Sequence, residues 1–244
     1  MPDRTSQGRS QQMFIINLGL QGHSWGIALW QGMLRSFLAM HIPDGFLNLP
    51  VTLITWLLTI SFMALALKRV QKQYQQRAVP LMGVCAAFIF ATQMINFPIP
   101  GGTSGHLLGG TLAGILLGPW AGSLVMAVVF MVQAVLFQDG GLTVLGANIV
   151  NMGLIGTFGG YYLYKAIRWA LGRDQWWAMA TATLIAAWTS VVVASLICAV
   201  ELGLSGTVPM TVAIAAMAFW HTLIGLGGGT DHPGRHQLYL ADPS

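Results

Sequence analysis

Charge is what this chain has least of. Of its 244 residues only 7% are Asp, Glu, Lys or Arg, against 55% hydrophobic. A soluble domain carries roughly 25% charged residues. A water-surrounded globule is therefore excluded, and a chain that crosses a bilayer several times is the class that remains. Cysteine is also scarce. Cys85 and Cys198 sit inside apolar runs and read as small core residues, neither a disulfide nor a metal pair. Catalytic arrangements are missing too. The chain has no His-Glu-x-x-His, no Cys cluster, no phosphate loop, and no Ser-His-Asp set whose members can be placed together. It reads as a non-enzyme that cannot itself use ATP.

What is present is hydrophobic length. A bilayer-crossing helix needs about 20 apolar residues. Stretches of that order are expected as spans near 49–67, 80–97, 120–137, 142–164, 176–202 and 208–226. A shorter apolar helix is expected over 106–117, closed by a tight turn at Gly118-Pro119. The expected fold is an all-α membrane bundle of about six to seven helices; the N-terminal metal-binding loop inserted from outside is what the donors and the resemblance given below add to it. Gly109, Gly110, Ala113 and Gly114 in the short helix, and Gly153, Gly156, Gly159 and Gly160 in a later span, are read as faces for close helix packing.

The few charges are ordered. Between residues 40 and 229 the Lys and Arg residues are Lys68, Arg69, Lys72, Arg77, Lys165, Arg168 and Arg173. They fall in two loops that share one side if the short helix crosses, and the positive-inside rule makes that side cytoplasmic. Asp44, Asp139 and Glu201 are assigned to loops on the opposite, outer side. The pI near 9.4 is thus a topology signal and not a nucleic-acid footprint.

The two ends differ from the middle. Residues 1–39 make a poor signal peptide, because the apolar run is broken and Phe37-Leu38-Ala39 lacks the small residue before the cleavage position. They also make a poor span, since His23 and Arg35 are costly in hydrocarbon. The codons of Arg35-Ser36 can contain a ribosome-binding sequence, and Met40 is taken as the true first residue. Residues 227–244 turn abruptly polar after the last span. One base fewer in the glycine codons opens a frame beginning Gly-Glu-Gly-Leu-Ile, which continues a helix; a frameshift is the expectation there. On that reading His232 and His236 are ligands of nothing. The resulting division is a leader at 1–39, a metal-binding membrane domain at 40–226 and an atypical tail at 227–244.

The stretch Met40-His41-Ile42-Pro43-Asp44-Gly45 has neither helical nor strand periodicity. A chain that starts Met-His offers three nitrogens to one divalent ion in fused rings: the α-amine, the deprotonated amide of His41 and its Nδ1. A fourth nitrogen completes a square plane, a geometry that suits Ni(II) or Cu(II) and that low-spin Co(II) can also adopt. His106 is the expected fourth donor. It follows the glycine-rich run Gly101-Gly102-Thr103-Ser104-Gly105, whose Thr103 and Ser104 stand ready to orient the loop or the ligands. Every donor must be deprotonated, so binding releases protons and weakens in acid. Asn148 and Asn151 need buried partners; either they brace the inserted loop or they tie helices together, and the second is the reading favoured. His221 reads as a hydrogen-bonded bundle residue. The bland alternative for each histidine is a structural role.

Four stretches now carry a resemblance: Met40–Leu47, Asn96–Gly110, Leu116–Gly122 and Phe137–Asn148. Together they resemble the CbiM/NikM family, the substrate-specificity components of energy-coupling-factor transporters for cobalt or nickel. The resemblance spans about 40–226. It implies a helical membrane fold with the N-terminal loop tucked into the bundle, and a metal held by the terminal amine, the second-position histidine and the histidine of the Thr-Ser-Gly-His loop. Those roles carry over to Met40, His41 and His106. It also implies a transmembrane coupling protein, a pair of cytoplasmic ATPases and often a small accessory membrane subunit as partners, with no cofactor beyond the transported Co2+ or Ni2+. Two departures stand out: the leader ahead of Met40, and the absence of the Gly-Glu continuation of the last helix.

The expectation is an ion-capturing subunit in the cytoplasmic membrane, its site facing outside, with cobalt preferred on family likeness alone. One rival is a specificity subunit for an organic vitamin, in which an aromatic pocket and not His106 controls binding. Another is an intramembrane metallohydrolase, which the four-nitrogen plane disfavours by leaving no dedicated open position.

Overall fold

The structure, a computed structural model, describes residues 41–73, 78–94, 97–99, 103–105, 109–172 and 175–227, all within the unit Met40–Ser244. Helix α1 (Leu49–Gln73) starts where the sequence supplies a cap: Asn48 Oδ1 accepts the Val51 N–H at 3.0 Å. Pro50, with its fixed φ, suits the first turn. Lys72 in the last turn matches the helix dipole. Helix α2 (Ala78–Met94) follows. It stops short of the expected 97 because Pro98 and Pro100 cannot continue a helix. Instead β1 (Phe97–Ile99) pairs antiparallel with β2 (Thr103–Gly105), Phe97 opposite Gly105. This hairpin is the one departure from an all-helical fold among the described residues.

Helix α3 (Gly110–Phe137) is long and apolar enough to count as one span, but it is two pieces. Gly118 has φ 75 and ψ 161, outside the helical region, and Pro119 follows it. A Cβ on Gly122 would lie 2.8 Å from the Ala113 carbonyl carbon. Residues nine apart on a straight helix are separated by about 13 Å, so the chain reverses at Gly118 and the pieces lie side by side. The expected short helix and tight turn are therefore present, with the helix beginning at Gly110.

The next helical run is α4 (Leu145–Asn148), a π-helical stretch (Ile149–Gly159) and α5 (Gly160–Leu171). It begins and ends later than the expected 142–164. Helices α6 (Trp176–Leu204) and α7 (Met210–Gly227) complete the order. Length and composition qualify α1 and α6 as membrane-crossing in one piece and α3 by total length only, with α2 and α7 shorter apolar helices. Leu53, Leu57, Val84, Leu136 and Leu184 are each more than half exposed, an outer surface suited to lipid and not to water.

Two ends can be told apart. At one, Arg69 lies over Trp120, which packs on Phe158, and Lys165 lies over Tyr161. The basic ends of α1 and α5 therefore meet on one side, as the charge pattern required. At the other end lie the loop 41–48, the loop after α3 and the end of α6, tied by Asn48 Nδ2 donating to the Leu204 carbonyl at 3.1 Å. Cys85 and Cys198 are buried free thiols, as expected.

Small residues set how closely the reversed helix packs. A Cβ on Gly110 would sit 2.8 Å from the Met152 carbonyl, and one on Gly114 2.7 Å from that of Thr157. Both neighbours are backbone, which cannot swing away. Gly114→Val is therefore expected to cost about 1–3 kcal/mol or more, read as a lower melting temperature of the detergent-purified chain. Gly83→Ala, with nothing within 4 Å of its Cβ, should leave that temperature unchanged or raise it.

Candidate metal centre

The loop 41–48 is irregular backbone beside a bundle, so its polar groups need partners. Asn148 supplies two. Its Oδ1 accepts the Ile42 N–H at 2.8 Å and its Nδ2 donates to the Ile42 carbonyl at 3.1 Å. A single side-chain amide thus pairs with a peptide unit as a neighbouring strand would. The Gly141 N–H also donates to the Ile42 carbonyl, at 2.9 Å. Ile42 itself is 1% exposed and packs among Val144, Ala147, Cys198, Ala199 and Leu202.

Asp44 makes the second clasp. Its Oδ1 accepts the Thr143 N–H at 2.7 Å and the Thr143 hydroxyl at 2.5 Å, and its Oδ2 accepts the Leu142 N–H at 3.2 Å. The Thr143 hydroxyl, foremost, holds the Asp44 carboxyl below its ordinary value of 3.8. Farther on, the Thr207 hydroxyl donates to the Phe46 carbonyl. Two glycines leave room for all this. Gly140, at φ 96, would bring a Cβ to 3.0 Å from Asn148 Nδ2 and 3.4 Å from the His41 Cβ, and a Cβ on Gly141 would overlap Asp44.

These clasps hold His41, which is 5% exposed. Its Nδ1 lies 3.4 Å from Asp139 Oδ1, and its ring meets the edge of Phe130 at 5.6 Å between centroids. Burial pushes the imidazole down to about 4, opposed by a hydrogen bond with Gln133. The ring is therefore neutral at pH 7, the form that ligates metals, and its contact with Asp139 is not an ion pair at that pH. Gln133 in turn donates to Gln93 Oε1 at 2.9 Å, which links α3 to α2 behind the histidine.

Met40 and His106 lie outside the described residues. Thr103 and Ser104 fall in the backbone of β2, and their side chains lie outside as well. Among the described residues no three His, Cys, Asp or Glu side chains gather as a metal cluster. The expected donor set draws on backbone nitrogen, which such a cluster would not contain. Two expectations need correction. Asn148 braces the loop and does not tie helices, because its amide faces the Ile42 peptide. Glu201 is not in an outer loop: it is a buried residue of α6 and accepts a 2.6 Å bond from Asn151 Nδ2. Asn151 does tie helices, as read. His221 hydrogen-bonds the Met217 carbonyl at 3.0 Å within α7. Sequence reasoning missed Asp139 and Gln133 as neighbours of His41, and Gln93 as the partner of Gln133. Two amides in apolar helices were the available signal, since such groups are seldom idle in a membrane.

With this geometry in hand, known proteins can be compared. A model of the CbiM family, described as a cobalt uptake substrate-specific transmembrane region, matches residues 41–230. A protein of Archaeoglobus fulgidus, whose name describes a fused nickel transport protein, is 43% identical over 193 residues, which are 78% of this chain and 62% of that one. The chain thus spans less than two thirds of that relative. The cobalt transport protein CbiM of Sorangium cellulosum is 34% identical over 191 residues, 77% of this chain and 84% of its own length. Among solved structures, a truncated transition metal transporter superposes with a TM-score of 0.66 at 34% identity, covering 76% of this chain and 95% of that one.

The clasps make a stability prediction. Asn148→Leu leaves the buried Ile42 N–H without an acceptor and should cost about 1–3 kcal/mol, exposing the bonds after His41 to limited proteolysis. Asp44→Asn should loosen the same loop at neutral pH. A carboxyl with a lowered folded-state pKa contributes stability above its unfolded value and loses it as pH falls through the folded one. The loop of the unaltered protein should therefore turn protease-sensitive only below about pH 4, whereas Asp44→Asn should already be sensitive at pH 7.

Proposed function

The chain belongs to the CbiM family of cobalt-uptake transmembrane regions, and on that premise we propose that it captures Co2+ or Ni2+ for an ATP-driven importer. The carrying observation is the burial of a neutral His41 in a loop clasped by Asn148 and Asp44. A loop held this firmly keeps its donors in place before the ion arrives, which lowers the ordering cost of binding. Met40 amine, His41 amide and imidazole, and His106 are the proposed donors, in a square plane that both ions can accept. Thr103, Ser104 and Asn148 support them, and Asn151 holds the helix behind Asn148.

Nδ1 of His41 faces Asp139 in the structure. The carboxylate is proposed to draw the cation in and then yield Nδ1 to it. The relatives are named for nickel and for cobalt, so both ions are kept as substrates. The basic ends of α1 and α5 are assigned to the cytoplasmic face of the cytoplasmic membrane, which puts the capture loop outside. A transmembrane coupling protein, a pair of ATPases and a small accessory subunit are the proposed partners.

The test is equilibrium dialysis of purified protein against Co2+ or Ni2+, in a form whose mature N-terminus is Met40 by intact mass. One ion should bind tightly, and His41→Ala or His106→Ala should weaken it at least a hundredfold. A form with one residue ahead of Met40 should lose a similar amount. Unchanged affinity in all three would overturn the ligand set, and no binding of either ion by the unaltered protein would overturn the function.

A further inference from the structure

Beneath the clasped loop lies a second set of donors that the capture site does not use. Ile42 and Cys198 of α6 belong to one buried apolar cluster. Glu201 and Ser205 follow Cys198 at three and seven residues, the spacing of one helix face. Cys198 and Glu201 are both buried, at 1% and 7% exposure. Asn151 of the π-helical stretch reaches this face from the opposite wall, with Nδ2 2.6 Å from Glu201 Oε2. Asn151 is fully buried, yet its Oδ1 has no hydrogen-bond partner, and neither has the Ser205 hydroxyl. Among the described residues no Lys or Arg pairs with Glu201.

Each feature is expensive by itself. A carboxylate in a bilayer without a cation costs several kcal/mol by most scales, and a buried amide oxygen without a donor costs about 1–3 kcal/mol. One positive charge shared by Asn151 Oδ1 and the Glu201 carboxylate, taking the place of the Nδ2 hydrogen bond, relieves both. A thiol, a carboxylate and an amide oxygen also form a mixed donor set that a late first-row divalent ion accepts. π-Helical stretches, rare in general, are frequent at functional sites, and this one carries Asn151 one turn past the residue that clasps the capture loop.

We propose that Glu201, Asn151 and Cys198 form an inner, transit site for the divalent ion, which receives it from the capture loop. Glu201 supplies charge, Asn151 Oδ1 an oxygen, and Cys198 a sulfur that loses its proton on coordination. The inner site is the weaker of the two, since it must pass the ion on. The identity of the ion rests on the proposed function above; the donor set rests on α6 and the π-helical stretch alone.

The experiment titrates the full-length detergent-purified protein with Co2+ and follows the sulfur-to-cobalt charge-transfer band. The capture donors are all nitrogen, so this band reports the inner site. It should grow after the first ion has bound and should survive His41→Ala. Cys198→Ser should abolish it, Glu201→Gln should weaken the associated affinity at least tenfold, and Cys85→Ser on α2 should leave it unchanged. Melting temperature and elution profile separate loss of the site from loss of the fold, and Asn151→Asp, which keeps an oxygen there, should retain the band. A folded protein that binds one Co2+ with no sulfur band, or a band indifferent to Cys198→Ser, would overturn the inner site and leave the capture reading standing. A sulfur band with no tight first ion would do the reverse.

Discussion

Backbone that leaves the helix inside or beside a bilayer must bring its own partners for every N–H and C=O, because lipid offers none. The loop 41–48 meets that demand with the Asn148 amide, which pairs with both polar groups of the Ile42 peptide. Much of the rest follows from it. Asn148 has to stand at the start of a long helical run, facing inward. Gly140 and Gly141 have to be side-chain-free so that the loop can lie against them. Asp44 has to reach across to Thr143 to close the loop's far side. His41 then has no freedom left, and a neutral imidazole is fixed at the mouth of the bundle.

A second constraint comes from close packing. The helix reversed at Gly118 fits against the π-helical stretch only because glycines at 110 and 114 let carbonyls approach. Without a hydrophobic drive between helices in lipid, such contact is where association energy comes from. The same stretch bears Asn148 at its threshold and Asn151 within it, so the surface that binds the short helix also sets the two asparagines. Packing on one side of this element and chemistry on the other are mechanically one object.

Polar groups in the bundle form a sparse and specific set. His41 is backed by Gln133 and Gln93, and Glu201 by Asn151. Each pair joins two helices in surroundings where an unpaired polar group is costly. That cost explains why the polar side chains buried in the bundle are few and paired, while Arg69 and Lys165 lie at helix ends over Trp120 and Tyr161.

How much was legible beforehand depends on the range of each signal. Hydrophobic length is local and declared a membrane bundle. Lys and Arg positions declared which helix ends share a side. Gly118-Pro119 announced a tight turn, and the lack of periodicity before the first span announced irregular backbone at 41–48, because composition and backbone preference act over a few residues. Helix ends near 97 and 142 were misjudged, since Pro98 breaks the first apolar run and Asp44 takes the N–H groups of Leu142 and Thr143 ahead of the second. The partner of Asn148 lies 106 residues away, that of Asn151 lies 50 away, and Asp139 meets His41 from across the chain. No local preference encodes such pairs. Only the packing of the helices decided which amide faced the loop, which faced a carboxylate, and that Glu201 belonged to the interior.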